Sequence, residues 1–252
     1  MKILIKLSYL GTHFCGYQVQ NDKRSIQGEL TRAARELFSC DCDITGCSRT
    51  DSGVHANMFC ATISKRGEEG LQTSLAPDRI VRAINAHLPD DICVFDAEWV
   101  EDSFHPRYDV KYKEYVYRMY NGCAKVPFES GRSLILKKKF APEQIERMNA
   151  AAALFVGKKD FRSFMAQGSQ VATTVRDVKY ASVPACDDVI EFKVAADGFL
   201  YNMVRIMAGT LIAVAEGKIA VDEIEDIISS CDRARAGQTA PPEGLYLNRV
   251  VY

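Results

Sequence analysis

The stretch GCSRTDSGVHA, residues 46–56, joins two apolar runs, and the pattern on either side of it indicates the fold. The runs at residues 44–48 and 57–64 have the composition of strands. Between them, Asp-Ser-Gly is a common turn sequence, because aspartate caps its own turn and glycine accepts a positive φ. We therefore predict two strands connected by a tight turn that contains Asp51. Taken alone, the pattern favours a structural role for Asp51.

Outward from this turn, strands and helices alternate along the chain. KILIKLSY (residues 2–9) alternates as a strand does, and Ser25 is placed to cap the helix that follows it. After the turn come a helix in LAPDRIVRAINAHL and a strand in DICVFDAEWV. In the rest of the chain we predict strands at residues 112–120, 133–137, 175–183, 189–196 and 245–252, and helices at 142–155, 199–215 and 221–229.

This order predicts the α+β class, with two ferredoxin-like or RRM-like halves whose antiparallel sheets are covered by helices. The halves meet near Phe104. We therefore divide the chain into residues 1–104, which carry the Asp51 turn, and residues 105–252, which carry a tyrosine-rich strand and an arginine-bearing helix.

The overall composition is that of a globular protein. The chain has 252 residues, a net charge of -1 and 47% hydrophobic residues. Its start, MKILIKLSYL, is too short and too interrupted by lysine for a signal peptide. The longest nearly uncharged run, residues 198–215, contains Arg205, which argues against a membrane span. We expect a cytoplasmic protein without a membrane segment.

The nine cysteines are scattered and odd in number. Without a signal peptide, this predicts reduced thiols instead of a disulfide framework. Cys40, Cys42 and Cys47 match no common zinc pattern, no CxxC pair occurs, and the histidines are never at helical spacing. No P-loop is present and no GxGxxG opens a helix. We expect neither a metal site nor a nucleotide cofactor.

Charge is segregated along the chain. Residues 105–139 contain nine lysines and arginines against three acids, whereas residues 90–102 contain six acids and no base. Such segregation can form a basic face for a polyanion. Two solvated faces without a partner are the alternative, and a charge run alone favours that alternative.

Arg205 is the only charge between Gly198 and Ala215, in a helix that is apolar on nearly every side. A buried arginine is costly unless it meets an anion. Its partner could be any buried acid, or it could be Asp51, and the physics leaves both open.

The strand KYKEYVYRMY places Tyr115 and Tyr117 on one face, and Tyr112 and Tyr120 on the other. Aromatic rings beside lysine and arginine suit base stacking and phosphate contact. Packing in the core of a sheet is the alternative, since tyrosine is common in strands. The interleaved cations favour nucleic acid modestly.

Read together, several segments resemble, in order and over nearly the whole chain, the TruA family of transfer-RNA pseudouridine synthases. The segments are YLGTHFCGYQVQ, SIQGEL, SRTDSGVHA, SFHPRYDVKYKEYVYRMYN, DFRSF, RDV, DGFLYNMVRIMAGTL and APPEGLYL. The resemblance implies an isomerase that converts uridine to pseudouridine in the anticodon arm, around transfer-RNA positions 38, 39 and 40. It further implies no metal or organic cofactor, and a homodimer in which one transfer RNA touches both subunits.

The resemblance also implies a fold and a set of site residues. The two α+β halves would form one continuous, mixed but mainly antiparallel sheet, with the active site in a basic cleft between them. Asp51 matches the catalytic aspartate and Arg205 the arginine that pairs with it. Tyr115 matches the tyrosine that packs against the target uracil, and Arg49 an arginine that assists nucleotide flipping.

This sequence departs from the family's commonest pattern around the proposed chemistry. Leu10 replaces a usual aspartate, Tyr17 a tryptophan, Cys47-Ser48 a glycine-containing pair, and Ser52 a frequent alanine. These departures bear on which target nucleotides are kept. The rival hypothesis is a non-catalytic RNA-binding protein or transfer-RNA folding chaperone on the same scaffold. The joint presence of Asp51, Tyr115 and Arg205 argues against it.

Overall fold

The structure is a computed structural model, and it describes residues 1–67, 70–122, 124, 126–168 and 171–252. Lys125, which belongs to the basic run, lies outside the described residues. The strands are β1 (Lys2–Tyr9), β2 (Cys42–Gly46), β3 (His55–Lys65), β4 (Ile92–Val100), β5 (Tyr112–Tyr120), β6 (Leu134–Ile135), β7 (Gly157–Asp160), β8 (Val175–Ser182), β9 (Ala185–Cys186), β10 (Val189–Ala196) and β11 (Leu245–Val251). The helices are α1 (Ile26–Phe38), α2 (Pro77–Asn85), α3 (Pro142–Ala153), α4 (Met203–Ala215) and α5 (Glu223–Ser230).

The chain forms two compact units. Unit 1 comprises Met1–Lys111 and Leu247–Tyr252, and unit 2 comprises Tyr112–Tyr246. The halves predicted from sequence differ from these units at residues 105–111 and 247–252. The last residues belong to unit 1 because β11 lies beside β3 in the sheet.

In unit 1, the sheet runs in the order β4-β1-β3-β11, and β2 also pairs with β3. β1 is antiparallel to both β3 and β4, and β2 is antiparallel to β3. Helix α1 connects β1 to β2, and α2 connects β3 to β4, which gives the ferredoxin-like element order. The Ser25 side chain accepts the Gly28 N–H, so the predicted N-cap is confirmed.

In unit 2, the sheet runs in the order β5-β10-β8-β7, and these neighbours are antiparallel. The short strand β6 adds to β5 in parallel, and β9 pairs with β10. Helices α3 and α4 pack against each other. Strands β7, β8 and β10 follow one another without an intervening α-helix, so this unit is α+β with a meander. The predicted α+β class is confirmed.

Some predicted boundaries were wrong, for local reasons. The helix predicted from residue 199 begins at Met203, because Asn202 has a φ of 59° in the left-handed region, which an α-helix cannot include. The strand predicted at residues 133–137 is reduced to Leu134–Ile135. β7 was not predicted, because its sequence GKKD lacks apolar alternation.

Among the described residues, no helix has the length and apolar character required to cross a bilayer. Within the same residues, histidine, cysteine, aspartate and glutamate side chains form no group of three suited to a metal ion.

Candidate active site

Asp51 lies in a β-turn within the connection from β2 to β3. The Val54 N–H donates to the Asp51 carbonyl at 3.2 Å, and Gly53, third in the turn, has a φ of 80°. A positive φ at this position requires glycine or asparagine in practice. The predicted turn is confirmed, and it leaves the Asp51 side chain half-buried.

The opening loop, which we define as Leu10–Tyr17, wraps around this turn. The Tyr17 N–H donates to the Thr50 carbonyl at 3.1 Å. On the other side of the turn, the Phe14 carbonyl accepts the Ser52 hydroxyl at 3.1 Å and the Gly53 N–H at 3.4 Å. The backbone on both sides of Asp51 is therefore attached to the opening loop.

Two glycines permit this close approach of two backbones. A Cβ on Gly11 would lie 1.9 Å from the Val54 carbonyl oxygen. A Cβ on Gly16 would lie 2.7 Å from the Thr50 carbonyl oxygen, and its φ of 91° is itself unfavourable for other residues. Neither glycine can be replaced without moving the loop relative to the Asp51 turn.

Buried polar side chains brace the same region. The Tyr9 and Thr50 hydroxyls share a buried hydrogen bond of 2.8 Å. The fully buried His55 accepts the Gly11 N–H at Nδ1, at 3.0 Å, so this nitrogen carries no proton while the bond exists. Sequence reasoning missed these braces. The available signal was His55, a polar residue at the start of the β3 sequence HANMFCATISK.

Tyr17 and Cys47, two of the residues that depart from the family's commonest pattern, are buried in the core of unit 1. Tyr17 stacks on Phe59, with ring centroids 4.5 Å apart. The Cys47 N–H donates to the Cys60 carbonyl at 2.9 Å, and its Sγ accepts the Cys60 N–H at 3.4 Å. Burial raises the pKa of the Cys60 thiol to about 12, and Cys47 adds to this effect. Tyr17 and Cys47 therefore attach the segments next to the Asp51 turn to the β3 residues Phe59 and Cys60.

Arg49, two residues before Asp51, is exposed. Among the described residues, no carboxylate lies within 4.0 Å of its guanidinium group. It lines a cavity of about 230 Å³ in unit 1. The charge is therefore available to an anion from outside the protein.

The other two predicted site residues, Tyr115 and Arg205, belong to unit 2. Tyr115 is in β5 opposite Val194 and is only 7% exposed. Its ring meets Phe199 edge-on, with centroids 5.0 Å apart. The Tyr115 ring therefore packs in the core, and the same fixed position would suit an aromatic surface for a base.

Arg205 extends from α4, most of whose residues are buried, as predicted. Its Nε donates to the Ala240 carbonyl at 2.8 Å, and Nη1 donates to Asn202 Oδ1 at 3.0 Å. In return, the Ala240 N–H donates to the Arg205 carbonyl at 3.1 Å. These contacts fix the plane of the guanidinium group. Its pairing with Asp51, which lies in unit 1, stays a prediction.

The basic run of residues 105–139 is only partly available for binding. Lys113 is buried, Arg118 lies 3.5 Å from Glu129, and Lys139 lies 2.9 Å from Asp188. Four exposed cations of the run have no carboxylate of the described residues within ion-pair distance: Arg107, Arg132, Lys137 and Lys138. The number of charges that can meet a phosphate backbone is therefore smaller than the sequence count.

Comparison with known proteins places the chain in a class of RNA-modifying isomerases. The model of one family, described as tRNA pseudouridine synthase, matches residues 6–109 and 151–252, and the chain belongs to that family. The tRNA pseudouridine synthase A of Thermoanaerobacter sp. (strain X514) is 39% identical over 250 residues, covering 99% of each chain. That of Ruminiclostridium cellulolyticum is 40% identical over 253 residues, covering 100% of this chain and 99% of the relative.

A solved complex of Cbf5, Nop10 and Gar1 aligns with 97% of this chain and 57% of that chain. The TM-score is 0.34 and the identity 13%, too distant a likeness to support any argument.

Proposed function

We propose that this chain isomerises uridine to pseudouridine in transfer RNA, and that Asp51 is the catalytic carboxylate. The observation that carries the proposal is the Asp51 turn itself. Its backbone is attached to the opening loop on both sides, and its position depends on glycines at Gly11, Gly16 and Gly53. Family membership gives the reaction class.

The reaction needs a group of this kind and consumes no other reactant. The N1–C1′ bond breaks, the uracil turns, and C5 bonds to C1′, after which C5 loses a proton and N1 gains one. An ionised carboxylate can attack C1′ or remove a sugar proton to start elimination. Both routes use the same residue in the same place.

The remaining predicted residues have roles that match their surroundings. Arg205, whose guanidinium plane is fixed by Ala240 and Asn202, keeps the Asp51 carboxylate ionised and oriented. Tyr115 provides the aromatic wall for the flipped uracil, and Arg49 fills the gap that the base leaves in the RNA. These three roles rest on the family resemblance, and the fixed guanidinium plane of Arg205 and the exposure of Arg49 support two of them.

We further propose the finer assignments that the resemblance implies. The target is the anticodon arm, around positions 38, 39 and 40. The enzyme acts in the cytoplasm as a homodimer, without a metal or organic cofactor. Binding depends on salt, because exposed cations such as Arg107 and Lys138 release counterions when they meet phosphate.

Mapping pseudouridine after incubation with unmodified transfer RNA tests the proposal. Wild type, Asp51→Asn and the control Asp22→Asn are compared in the presence of a chelator. Asp22 is exposed with a φ of 57°, which asparagine tolerates. We expect pseudouridine in the anticodon arm with wild type and the control, and none with Asp51→Asn. Tight RNA binding by wild type without any pseudouridine would favour the folding chaperone instead.

Arg205 is tested by a charge-conserving change. Arg205→Lys keeps the positive charge and loses the planar two-point contact with Ala240 and Asn202. We expect kcat to fall about 10- to 100-fold, with KM within about threefold of wild type, because the interaction acts on the reacting carboxylate. An unchanged kcat would remove Arg205 from the proposed mechanism.

A further inference from the structure

A recessed surface of unit 1 lies beside Arg49, and the proposed chemistry does not use it. We call it the Tyr108 pocket: a cavity of about 230 Å³ whose walls include Tyr17, Gln18, Arg49, His105, Arg107 and Tyr108. Part of its lining comes from the segment that leads into the Asp51 turn, and another part from the turn His105–Asp109. All of these residues belong to unit 1.

Tyr108 gives this pocket an exposed aromatic face. The side chain is 74% exposed, yet its ring lies on His105, with centroids 4.2 Å apart and planes inclined by 31°. Nucleobases stack on exposed rings of this kind without regard to sequence. A ring already held by a neighbour loses little conformational freedom when a base stacks on it.

The turn that carries Tyr108 is ordered by its own hydrogen bonds. The His105 N–H donates to Asp109 Oδ2 at 2.8 Å, and His105 Nδ1 accepts the Arg107 N–H at 3.1 Å. The Tyr252 hydroxyl donates to the Pro106 carbonyl at 2.8 Å. The turn is therefore fixed at both its start and its middle before any ligand arrives.

The charges around the pocket favour an anion. Arg107 and Arg49 both line the cavity, and the Arg107 Cζ lies 6.0 Å from the centre of the Tyr108 ring. Within the described part of the chain, neither guanidinium has a carboxylate within ion-pair distance, and no acidic residue lines the cavity. A phosphate group at the rim would therefore meet a positive charge that no carboxylate neutralises.

The size and position of the pocket define the ligand further. Its volume of about 230 Å³ is below the range of roughly 300–1,000 Å³ typical of sites for drug-sized ligands. One base with its phosphate at the rim fits, whereas a double helix does not. Arg49 is two residues from Asp51, a span of at most about 7 Å along the chain. The pocket wall at Arg49 therefore lies close to the Asp51 backbone, within reach of the same RNA strand.

We propose that the Tyr108 pocket binds one unpaired nucleotide next to the target uridine, with its base stacked on Tyr108 and its phosphate at Arg107. The inference rests on the proposed function, because it takes the RNA substrate from there. It adds a second binding site for RNA, separate from the one for the reacting base.

The first test removes the ring. Tyr108→Ala is compared with Tyr108→Phe, which keeps the stacking face, and with Phe95→Ala, an exposed aromatic residue in the acid-rich part of unit 1. We expect Tyr108→Ala to raise KM about 5- to 150-fold with little change in kcat, the loss associated with one stacked base. Tyr108→Phe and Phe95→Ala should behave as wild type. Equal KM values for all four proteins would overturn the proposal.

The second test identifies the stacked base. Substrates with a single abasic nucleotide, placed in turn at each position around the target, are bound to wild type and Tyr108→Ala. At one position adjacent to the target, the missing base should abolish the difference between the two proteins, because both partners of the stack are then absent. A difference that persists with every substrate would show that Tyr108 acts through the fold, and would refute the stacking.

A third arm separates this inference from the proposed function. Equilibrium RNA binding is measured with Asp51→Asn and with Asp51→Asn/Tyr108→Ala, so no turnover is needed. A difference in Kd supports the pocket even if wild type forms no pseudouridine. Free uridine monophosphate is titrated in parallel, and we expect no Tyr108-dependent binding at concentrations where RNA saturates. Comparable binding of the free nucleotide would overturn the assignment to RNA.

Discussion

Two turns of unit 1, the Asp51 turn and the Tyr108 turn, hold the side chains for which we propose functions, and they do so by different means. The Asp51 turn is attached to the opening loop by backbone hydrogen bonds and rests on a buried core. The Tyr108 turn is held mainly by contacts within itself and by Tyr252, and its ring faces solvent. A group that reacts needs a fixed position, whereas a group that stacks can wait for its ligand to complete the packing.

The largest effect on this contrast should come from Gly11→Ala. The new Cβ would lie 1.9 Å from the Val54 carbonyl oxygen, so the opening loop must move away from the Asp51 turn. We expect kcat to fall about 100-fold and the free energy of unfolding to fall by about 1–3 kcal/mol. Gly198→Ala is the control, since its Cβ would meet only the Arg176 side chain at 3.4 Å. Wild-type kcat in Gly11→Ala would show that the loop does not position Asp51.

The buried pair Tyr9–Thr50 should give the next largest effect, on stability. Tyr9→Phe and Thr50→Val each remove one of the two hydroxyls that share this buried hydrogen bond. We expect each change to lower the free energy of unfolding by about 1–3 kcal/mol. The double variant should lose less than the sum of the two single losses, and urea unfolding measures all three. Strict additivity would mean that the hydrogen bond does not brace the turn.

Tyr252→Phe probes the weaker support of the Tyr108 turn. It removes the hydrogen bond to the Pro106 carbonyl, so we expect a loss of about 0.5–1.5 kcal/mol in the free energy of unfolding, the net contribution of one such bond. RNA binding should weaken while kcat is retained, in contrast to Gly11→Ala. A selective loss of kcat would contradict the separation of the two turns.

The effect that is smallest near neutral pH is a pH dependence that originates at Cys60, close to Cys47. The pKa of Cys60 is raised from 9.0 to about 12, mainly by burial. The folded chain therefore keeps this proton where the unfolded chain loses it, so the stabilisation is complete below about pH 9 and is lost as the pH rises towards 12. Above pH 9 this group lowers the free energy of unfolding by up to about 1.4 kcal/mol per pH unit. Cys60→Ala should flatten that slope in urea unfolding, and an unchanged slope would assign it to other groups.

Features with a local signature could be predicted from the sequence. The alternation in β1, the Ser25 cap and the Asp-Ser-Gly turn each depend on neighbouring residues, and each is confirmed. The start of α4 was missed because the left-handed Asn202 interrupts an otherwise helical pattern.

Contacts between distant segments had no such signature. The approach of Gly11 to Val54 joins residues far apart in the chain, and glycine composition alone does not reveal which backbone it meets. The exposure of Tyr108 was likewise missed, because its motif HPRY was interpreted only as part of a charged run and of a family-like segment.

We propose that the carboxylate of the braced Asp51 turn performs the isomerisation. Measuring single-turnover pseudouridine formation separates this chemical role from RNA binding. The rate with saturating enzyme is measured for wild type and Asp51→Asn, together with the Kd for the same transfer RNA. We predict a rate at least about 10⁴-fold lower for Asp51→Asn, as for removal of other catalytic groups that act as nucleophiles, with Kd within about threefold of wild type. Pseudouridine formation at the wild-type rate by Asp51→Asn would contradict the account.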